Sequence, residues 1–234
     1  MLLTQKGLVE SRERAQALII AGKVRVAGET VRKPDRTVAD GAPVSVETDP
    51  EYASRGALKL GPALDRFGVD PRGLVCADIG ASTGGFTDVL LRRGAVRVYA
   101  LDVGRGLLHW RLRQDPRVVV IERVNARQME AFPEPIGLVV VDVSFIGLEK
   151  VLPAVSHAAP GAPIVALFKP QFQVARGEVG KGGIVRDEAA VEAALARFRE
   201  WCDANGLAVV GHAPSEVAGT DGNREIFVHL RPAS

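Results

Sequence analysis

The sequence of 234 residues predicts an α/β protein in which helices cover both faces of a mostly parallel sheet, with a small α+β module ahead of it. Two observations predict this arrangement. Short, continuous apolar runs alternate with segments of helical periodicity from about residue 54 onward, as a buried parallel sheet requires. One early run ends in a glycine-rich turn that opens a helix, which is a common form of a nucleotide cradle.

The first 47 residues predict the small module. Ser11 is positioned to cap a helix that ends at Gly22, with its apolar residues on one face. A hairpin over 24–31 and a third short strand over 44–46 follow. So few residues bury little apolar surface, and the module is expected to be only marginally stable alone.

Positive charge is concentrated in this module. The chain has a net charge of +2, and residues 1–47 hold eight Lys or Arg against six Asp or Glu, so residues 48–234 are neutral in total. The basic residues between positions 11 and 36 are Arg12, Arg14, Lys23, Arg25, Arg32, Lys33 and Arg36.

The run GLVESRERAQALIIAGKVRVAG, residues 7–28, resembles the αL-type RNA-binding module first named for a small-subunit ribosomal protein. The resemblance extends to about residue 46, although the usual opening helix is cut to about six residues. It implies that the seven basic residues above contact RNA phosphates, which gives docking with little sequence choice. The alternative is that these charges form a solvated surface.

A polar linker is predicted over 48–53, and the second domain over 54–234. Ser54 is expected to cap a helix that turns Ala57, Leu60, Leu64 and Phe67 inward, which places Lys59 beside the buried stripe.

The first strand of this domain, Val75 to Ile79, leads into Gly80, and Gly84 and Gly85 follow. This spacing differs from Gly-x-Gly-x-x-Gly, so NAD is disfavoured. A second strand, 96–101, ends in Asp102, 22 residues after Gly80. An acidic residue at that distance holds ribose hydroxyls in doubly wound folds.

Five further strands are predicted, over 118–121, 138–141, 164–168, 208–211 and 225–230. The third leads to Asn125, the fourth to Asp142 and the fifth to Lys169. A long glycine-rich connection over 171–186 follows, and long connections of this kind usually have a function. Asp187 is expected to cap the last helix.

The pair Asp78-x-Gly80 followed by Asp102 resembles the first two motifs of class I S-adenosyl-L-methionine-dependent methyltransferases. The resemblance implies a Rossmann-like, seven-stranded sheet with its last strand antiparallel, and S-adenosyl-L-methionine as cofactor. The implied cofactor-binding residues are Asp78, Gly80, Ser82, Gly84, Gly85, Phe86, Thr87, Asp102, Asn125 and Asp142. The alternative is another class of α/β protein in which a glycine-containing turn joins a strand to a helix.

Four charged residues are expected to converge at one edge of the sheet. Asp142 and Lys169 follow parallel strands, so both lie at the carboxyl edge where ligands bind. Glu225 joins them if the last strand is antiparallel, and Lys59 approaches from the preceding helix. Lysine can take a proton from a sugar hydroxyl as it attacks a methyl group, while carboxylates orient the reacting groups.

This set resembles the Lys-Asp-Lys-Glu tetrad of ribose 2′-O-methyltransferases of the FtsJ type. The local contexts match too: SRGALKL at 54–60, VDVSF at 141–145, FKPQF at 168–172 and NRE at 223–225. With the RNA-binding module, the whole chain resembles the TlyA family of rRNA ribose methyltransferases, also catalogued as haemolysins. This implies methylation of a cytidine 2′-hydroxyl, with ribosomal RNA or a ribosomal subunit as partner.

Two other classes of function stay open. The first is a catalytically idle RNA-binding or ribosome assembly factor. The second is a membrane-active haemolysin, which is disfavoured because no apolar run approaches the roughly 18 residues of a membrane span. The two cysteines lie far apart in sequence, which favours a reducing compartment and no metal site. A cytoplasmic monomer without a leader segment is expected.

Overall fold

The computed structural model describes residues 2–9, 11–20, 22–39, 41–46, 52–219 and 222–233. Most of the predicted linker, 48–51, lies outside these ranges, as do the side chains of Arg14, Ala17 and Arg176. The chain forms two compact units, residues 1–51 and 52–234.

The first unit contains two helices and a three-stranded antiparallel sheet. The elements are α1 (Leu2–Gln5), α2 (Arg12–Ile20), β1 (Val24–Val26), β2 (Glu29–Val31) and β3 (Val44–Val46), with strand order β2-β1-β3. Leu3, Leu18 and Val24 form its buried core. Strand β1 alternates, so that Val24 and Val26 are buried and Arg25 between them is exposed. The predicted helix and strands are therefore present.

The second unit is built on a seven-stranded sheet. Its strands are β4 (Val75–Ile79), β5 (Arg97–Asp102), β6 (Val118–Glu122), β7 (Leu138–Val141), β8 (Ile164–Phe168), β9 (Leu207–Pro214) and β10 (Ile226–Pro232). The order is β6-β5-β4-β7-β8-β10-β9. Strands β4 to β8 pair in parallel, and β10 is antiparallel to both β8 and β9. The predicted antiparallel last strand is confirmed.

Helices cover both faces of this sheet. They are α3 (Ala57–Phe67), α4 (Gly85–Arg92), α5 (Trp110–Arg113), α6 (Leu152–Ala158) and α7 (Glu188–Ala204). One buried cluster joins α3 and α4 to one face of the sheet, and a second joins α6 and α7 to the other. Apolar residues on both sides of each central strand are thus buried, which explains the continuous apolar runs.

One predicted helix start is wrong. Helix α3 begins at Ala57, with Gly56 as its N-cap and no side-chain cap. Ser54 lies in a preceding turn, where its carbonyl accepts from Ala57 N at 3.2 Å and its hydroxyl accepts from Gly56 N at 3.3 Å. The hydroxyl is therefore used locally, two residues too early to cap the helix. At α7 the predicted cap is confirmed, since Asp187 accepts from Ala189 N and Ala190 N.

Candidate active site

The turn after β4 fits closely against the end of β7. Gly80 has φ +85°, and a Cβ added there lies 2.2 Å from the carbonyl oxygen of Asp142. Its N–H donates to Leu101 O at 2.8 Å. Position 80 therefore requires glycine for both its backbone angle and its packing.

The next two glycines differ in what requires them: Gly84 has φ +95°, which favours glycine, whereas Gly85 is required by packing alone. A Cβ at Gly84 lies 2.2 Å from Leu112 Cδ1, and one at Gly85 lies 2.3 Å from Ser54 Oγ. Gly85 lines one of the two cavities described below, whereas Gly84 is buried away from both. Together they let α5 and the residues before α3 approach the start of α4.

Two predicted cofactor residues, Asp78 and Thr87, are fully buried beneath the turn. The Thr87 hydroxyl donates to Asp78 Oδ2 at 2.6 Å, and neither residue lines either of the two cavities described below. Burial raises the pKa of Asp78 to about 7, because the charged carboxylate loses its hydration there. This buried hydrogen bond lies beneath the turn, and the assignment of both residues to the cofactor stays a prediction.

A cavity of about 430 Å³ lies beyond the ends of β5 and β6. Asp102 borders it, and both of its carboxylate oxygens are oriented by backbone donors: Ser82 N at 2.8 Å and Gly104 N at 2.7 Å. Asn125 also lines this cavity, and its side-chain oxygen accepts from Arg127 N at 3.0 Å. Leu101, Val103, Leu107 and Val143 supply apolar walls.

A second cavity, of about 330 Å³, contains all four residues of the predicted tetrad. Lys59 Nζ lies 2.6 Å from Glu225 Oε2, and Lys169 Nζ lies 2.6 Å from Asp142 Oδ1. The Lys169 amine also donates to Ser144 Oγ at 2.9 Å. All four side chains are mostly buried, between 3% and 23% exposed. Gly85 and Phe86 line the same cavity, although the Phe86 ring is largely buried in the core.

The two cavities meet at shared residues. Gly80, Ser82, Asp142 and Ser144 line both of them. One cavity therefore offers a carboxylate and apolar walls suited to a nucleoside, and the other offers paired lysines and carboxylates. A molecule that spans the junction reaches both.

The tetrad gives this junction its chemistry. Each buried lysine has a carboxylate partner at 2.6 Å, which fixes the position of its nitrogen at the junction. An amine held 2.6 Å from a carboxylate and 2.9 Å from a hydroxyl is positioned to exchange a proton with a bound hydroxyl group.

Two residues that follow Asp142, namely Ser144 and Phe145, were not predicted as site residues from the sequence. Ser144 contacts Lys169, as described above. Phe145 is 91% exposed with φ +67°, and its ring lies 5.4 Å from that of Phe172. A bulky residue in the left-handed region is strained, and such strain concentrates at functional sites. The only signal in the sequence was the match of VDVSF to a family context.

Asn223 is a third residue that sequence analysis missed. It is 1% exposed, and its amide binds the long connection twice, donating to Gly183 O at 2.8 Å and accepting from Val185 N at 2.9 Å. The main-chain carbonyl of Asn223 accepts from Gly219 N at 2.9 Å. A Cβ at Gly219 falls 2.7 Å from Glu225 Oε1. Asn223 therefore fixes the backbone on which Glu225 is placed.

The predicted RNA-binding residues lie in the first unit. Arg12, Arg25, Arg32, Lys33 and Arg36 are exposed and Lys23 is half-buried. The Arg14 side chain is outside the described part of the chain. Arg36 pairs with Glu29 at 3.0 Å, so part of its charge is already compensated.

Comparison with known proteins first gives the class. Residues 52–232 match the family model of FtsJ-like methyltransferases, and residues 1–44 match that of the S4 domain. The second unit is thus an FtsJ-like methyltransferase domain, and the first an S4 domain.

Relatives of similar length then give the particular family. The chain is 49% identical to the 16S/23S rRNA (cytidine-2′-O)-methyltransferase TlyA of Mycobacterium tuberculosis, covering 98% of this chain and 87% of that protein. It is 41% identical to Hemolysin A of Brachyspira hyodysenteriae, covering 96% and 95%. A Streptococcus thermophilus structure that carries a hemolysin name matches with 40% identity and a TM-score of 0.76, over 100% of this chain and 87% of that one. The chain belongs to the TlyA family.

The hemolysin names raise the question of membrane insertion. Within the part of the chain that the structure describes, no helix combines the length and the apolar character needed to cross a bilayer.

Proposed function

We propose that this protein transfers a methyl group from S-adenosyl-L-methionine to the 2′-hydroxyl of a cytidine in ribosomal RNA. The observation that carries the proposal is the pair of buried lysine–carboxylate contacts at the junction of two cavities. The name of the Mycobacterium tuberculosis relative supports the choice of cytidine and of ribosomal RNA. The S4 domain supports an RNA partner.

The residues around the two cavities fit the cofactor. Asp102 keeps lone pairs for two ribose hydroxyls, because each oxygen has accepted only one backbone hydrogen bond. Asn125 and the apolar walls suit a purine. The turn from Gly80 to Phe86 is open to a small polar chain, since Gly80, Ser82 and Gly85 line the second cavity. When bound, the cofactor supplies an electrophilic methyl group on a sulfonium.

Lys169 is the proposed base. Lys169 enters the reaction as a neutral amine, after releasing its own proton to solvent, and its Nζ would take the proton of the incoming hydroxyl as that oxygen attacks. A bound cofactor would supply the methyl group that the oxygen gains and would retain the electron pair of the bond that breaks. Asp142, 2.6 Å from the amine, holds Nζ at the junction and stabilises the ammonium that forms. Ser144 fixes the direction of the amine. Lys59 and Glu225 hold the target ribose from the other side.

Phe145 is suited to hold the target base. Its ring is almost fully exposed, and it follows the catalytic Asp142 by three residues. An exposed aromatic face can stack on a nucleobase that has left its helix. The neighbouring Phe172 ring supports it from one side.

The cofactor assignment predicts a specific loss on Asp102→Ala. Removing the carboxylate removes hydrogen bonds to two ribose hydroxyls, so S-adenosyl-L-methionine binding is expected to weaken by about 1–3 kcal/mol. Isothermal titration calorimetry on the folded variant measures this. Asp70→Ala, an exposed carboxylate before β4, serves as the control. An unchanged affinity in Asp102→Ala would place the nucleoside elsewhere.

The S4 domain predicts salt-dependent docking. Replacing Arg12, Arg14 and Lys23 with alanine is expected to lower RNA affinity and flatten its dependence on salt, because fewer counterions are released on binding. Cofactor affinity should not change. Filter binding at several salt concentrations measures the slope. A slope equal to that of the unmodified protein would show that these residues do not contact RNA.

The direct test of the proposed function is transfer of label. Purified protein is incubated with radiolabelled S-adenosyl-L-methionine and either isolated ribosomal subunits or the RNA extracted from them. The expected product is 2′-O-methylcytidine after nuclease digestion. An idle RNA-binding factor would bind these RNAs and leave them unlabelled.

A further inference from the structure

A second concentration of positive charge lies in the methyltransferase domain. The segment 103–127, from the end of β5 through the loop after β6, contains six arginines and two acidic residues. Its net charge of +4 exceeds the +2 of the whole chain. Residues 48–234 have no net charge in total, so the total does not reveal this basic segment.

Both acidic residues of the segment are already paired. Glu122 accepts from Arg113 and from Gly106 N, and Asp115 lies 2.7 Å from the Arg117 guanidinium. Among the described residues, no salt bridge within 4.0 Å involves the other exposed arginines Arg105, Arg123 and Arg127. Arg105 also acts electrostatically on Glu122, but six arginines against two acidic residues still leave a surplus of positive charge for an external anion.

Hydrogen bonds bring two of these arginines into adjacent loops. Arg123 N donates to Gly104 O at 3.2 Å, and Gly106 N donates to Glu122 Oε1 at 2.8 Å. Arg105 lies between those glycines, so its backbone runs beside that of Arg123. Arg123 also has φ +62°, a strained angle for a long side chain. Local backbone strain of this kind costs stability and is typical of a binding site.

Exposed apolar groups accompany the charges. Trp110, at the start of α5, is 62% exposed, and its ring lies 5.9 Å from that of His109. Val103 is 71% exposed, and it lines the cavity assigned to the nucleoside together with Arg127. The surface therefore begins at the mouth of that cavity.

We infer that Arg105, Trp110, Arg123 and Arg127 form a second RNA-binding surface, which holds a single-stranded segment next to the target nucleotide. The inference rests on the proposed function. The arginines neutralise phosphates, and the Trp110 ring stacks on a base. Each nucleotide of single-stranded RNA presents both a phosphate and an unpaired base. An acidic protein surface would offer negative charge without a base to stack on Trp110. The test distinguishes the two partners, because only RNA binding should depend on Trp110.

The test uses the full chain and two variants, Arg105→Ala/Arg123→Ala and Trp110→Ala. The probes are ribosomal subunits and the RNA extracted from them. Each variant is expected to raise the RNA Kd, and the KM for RNA, by about tenfold at moderate salt. The double variant should also reduce the steepness of the slope of log affinity against log salt concentration by about 2. Calorimetric affinity for S-adenosyl-L-methionine should remain within about twofold, because these three side chains do not line the cavity.

Two controls match these changes. Arg72→Ala/Arg97→Ala removes the same charge near the amino ends of β4 and β5, at the opposite edge of the sheet, and should leave RNA affinity nearly unchanged. Trp110→Phe retains an aromatic face and should recover most of the affinity lost in Trp110→Ala. Recovery by phenylalanine distinguishes stacking from charge alone.

The failure of this inference is distinguishable from failure of the proposed function. If the unmodified protein methylates RNA while both variants bind and react like it, the surface has no role in RNA binding. If the arginine variant loses affinity and Trp110→Ala does not, the surface is a general anion-binding face and the single-stranded assignment is wrong. If the unmodified protein transfers no label at all, the proposed function itself fails.

Discussion

Lys169→Ala is expected to lower the rate of methyl transfer by at least about 10³-fold, the range typical for loss of a general base. Both ligands should still bind, since an interaction needed only in the transition state affects the rate and spares affinity. Single-turnover assays at saturating cofactor and RNA measure the chemical step. Lys169→Arg is expected to fail as well, because guanidinium keeps its charge and does not accept a proton.

Lys59 provides the comparison for this prediction. Its contact is with Glu225, so its positive charge is the feature that the geometry requires. Lys59→Arg should therefore retain much of the activity that Lys169→Arg loses. Lys150→Ala, which removes an exposed lysine in the loop after β7, controls for a change in charge. Near-native turnover by Lys169→Arg would mean that Lys169 acts only as a positive charge and that another group is the base.

Gly80→Ala is expected to produce the second large effect. The added methyl group lies 2.2 Å from Asp142 O, and φ is +85°, so either the turn or the end of β7 must move. Both cavities share this junction, and near-complete loss of cofactor binding and of activity should follow. A left-handed alanine costs about 1–2 kcal/mol, and the clash adds to that cost. Thermal unfolding and calorimetry measure the two consequences.

The matched control for Gly80 is Gly68. It lies at the end of α3 with φ +63°, and a Cβ there meets nothing within 4 Å. Gly68→Ala therefore carries the backbone cost without the clash. If the two alanine variants lose equal stability and both bind the cofactor normally, close packing at the junction does not explain the requirement for Gly80.

Much of the sheet was predictable because its strands are buried on both faces. Continuous apolar runs end at Asp102, Asp142 and Lys169, and in a parallel sheet these ends share one edge. The position of Glu225 depended on one further condition, an antiparallel last strand, which the pairing of β10 with β8 confirms. The position of Lys59 could be predicted from the helix before β4 alone.

Other parts of the site depend on contacts that sequence spacing does not contain. Gly84 looked like a ligand-facing glycine, yet its packing is against Leu112, 28 residues away along the chain. The polar contacts of Thr87 point inward to Asp78. The exposed Phe145 and the arginines beside the nucleoside cavity were concealed because neither burial nor pairing can be read from composition.

The hydrogen bonds of Asn223 have a consequence for local opening. One residue holds Gly183 and Val185 of the long connection and Gly219 of the loop before β10, and the contact between Glu225 and Lys59 extends this set to α3. Opening any one of these segments exposes the buried amide of Asn223 or breaks a buried ion pair. The rim around the second cavity should therefore open as one cooperative unit, with its amides sharing one free energy of hydrogen exchange.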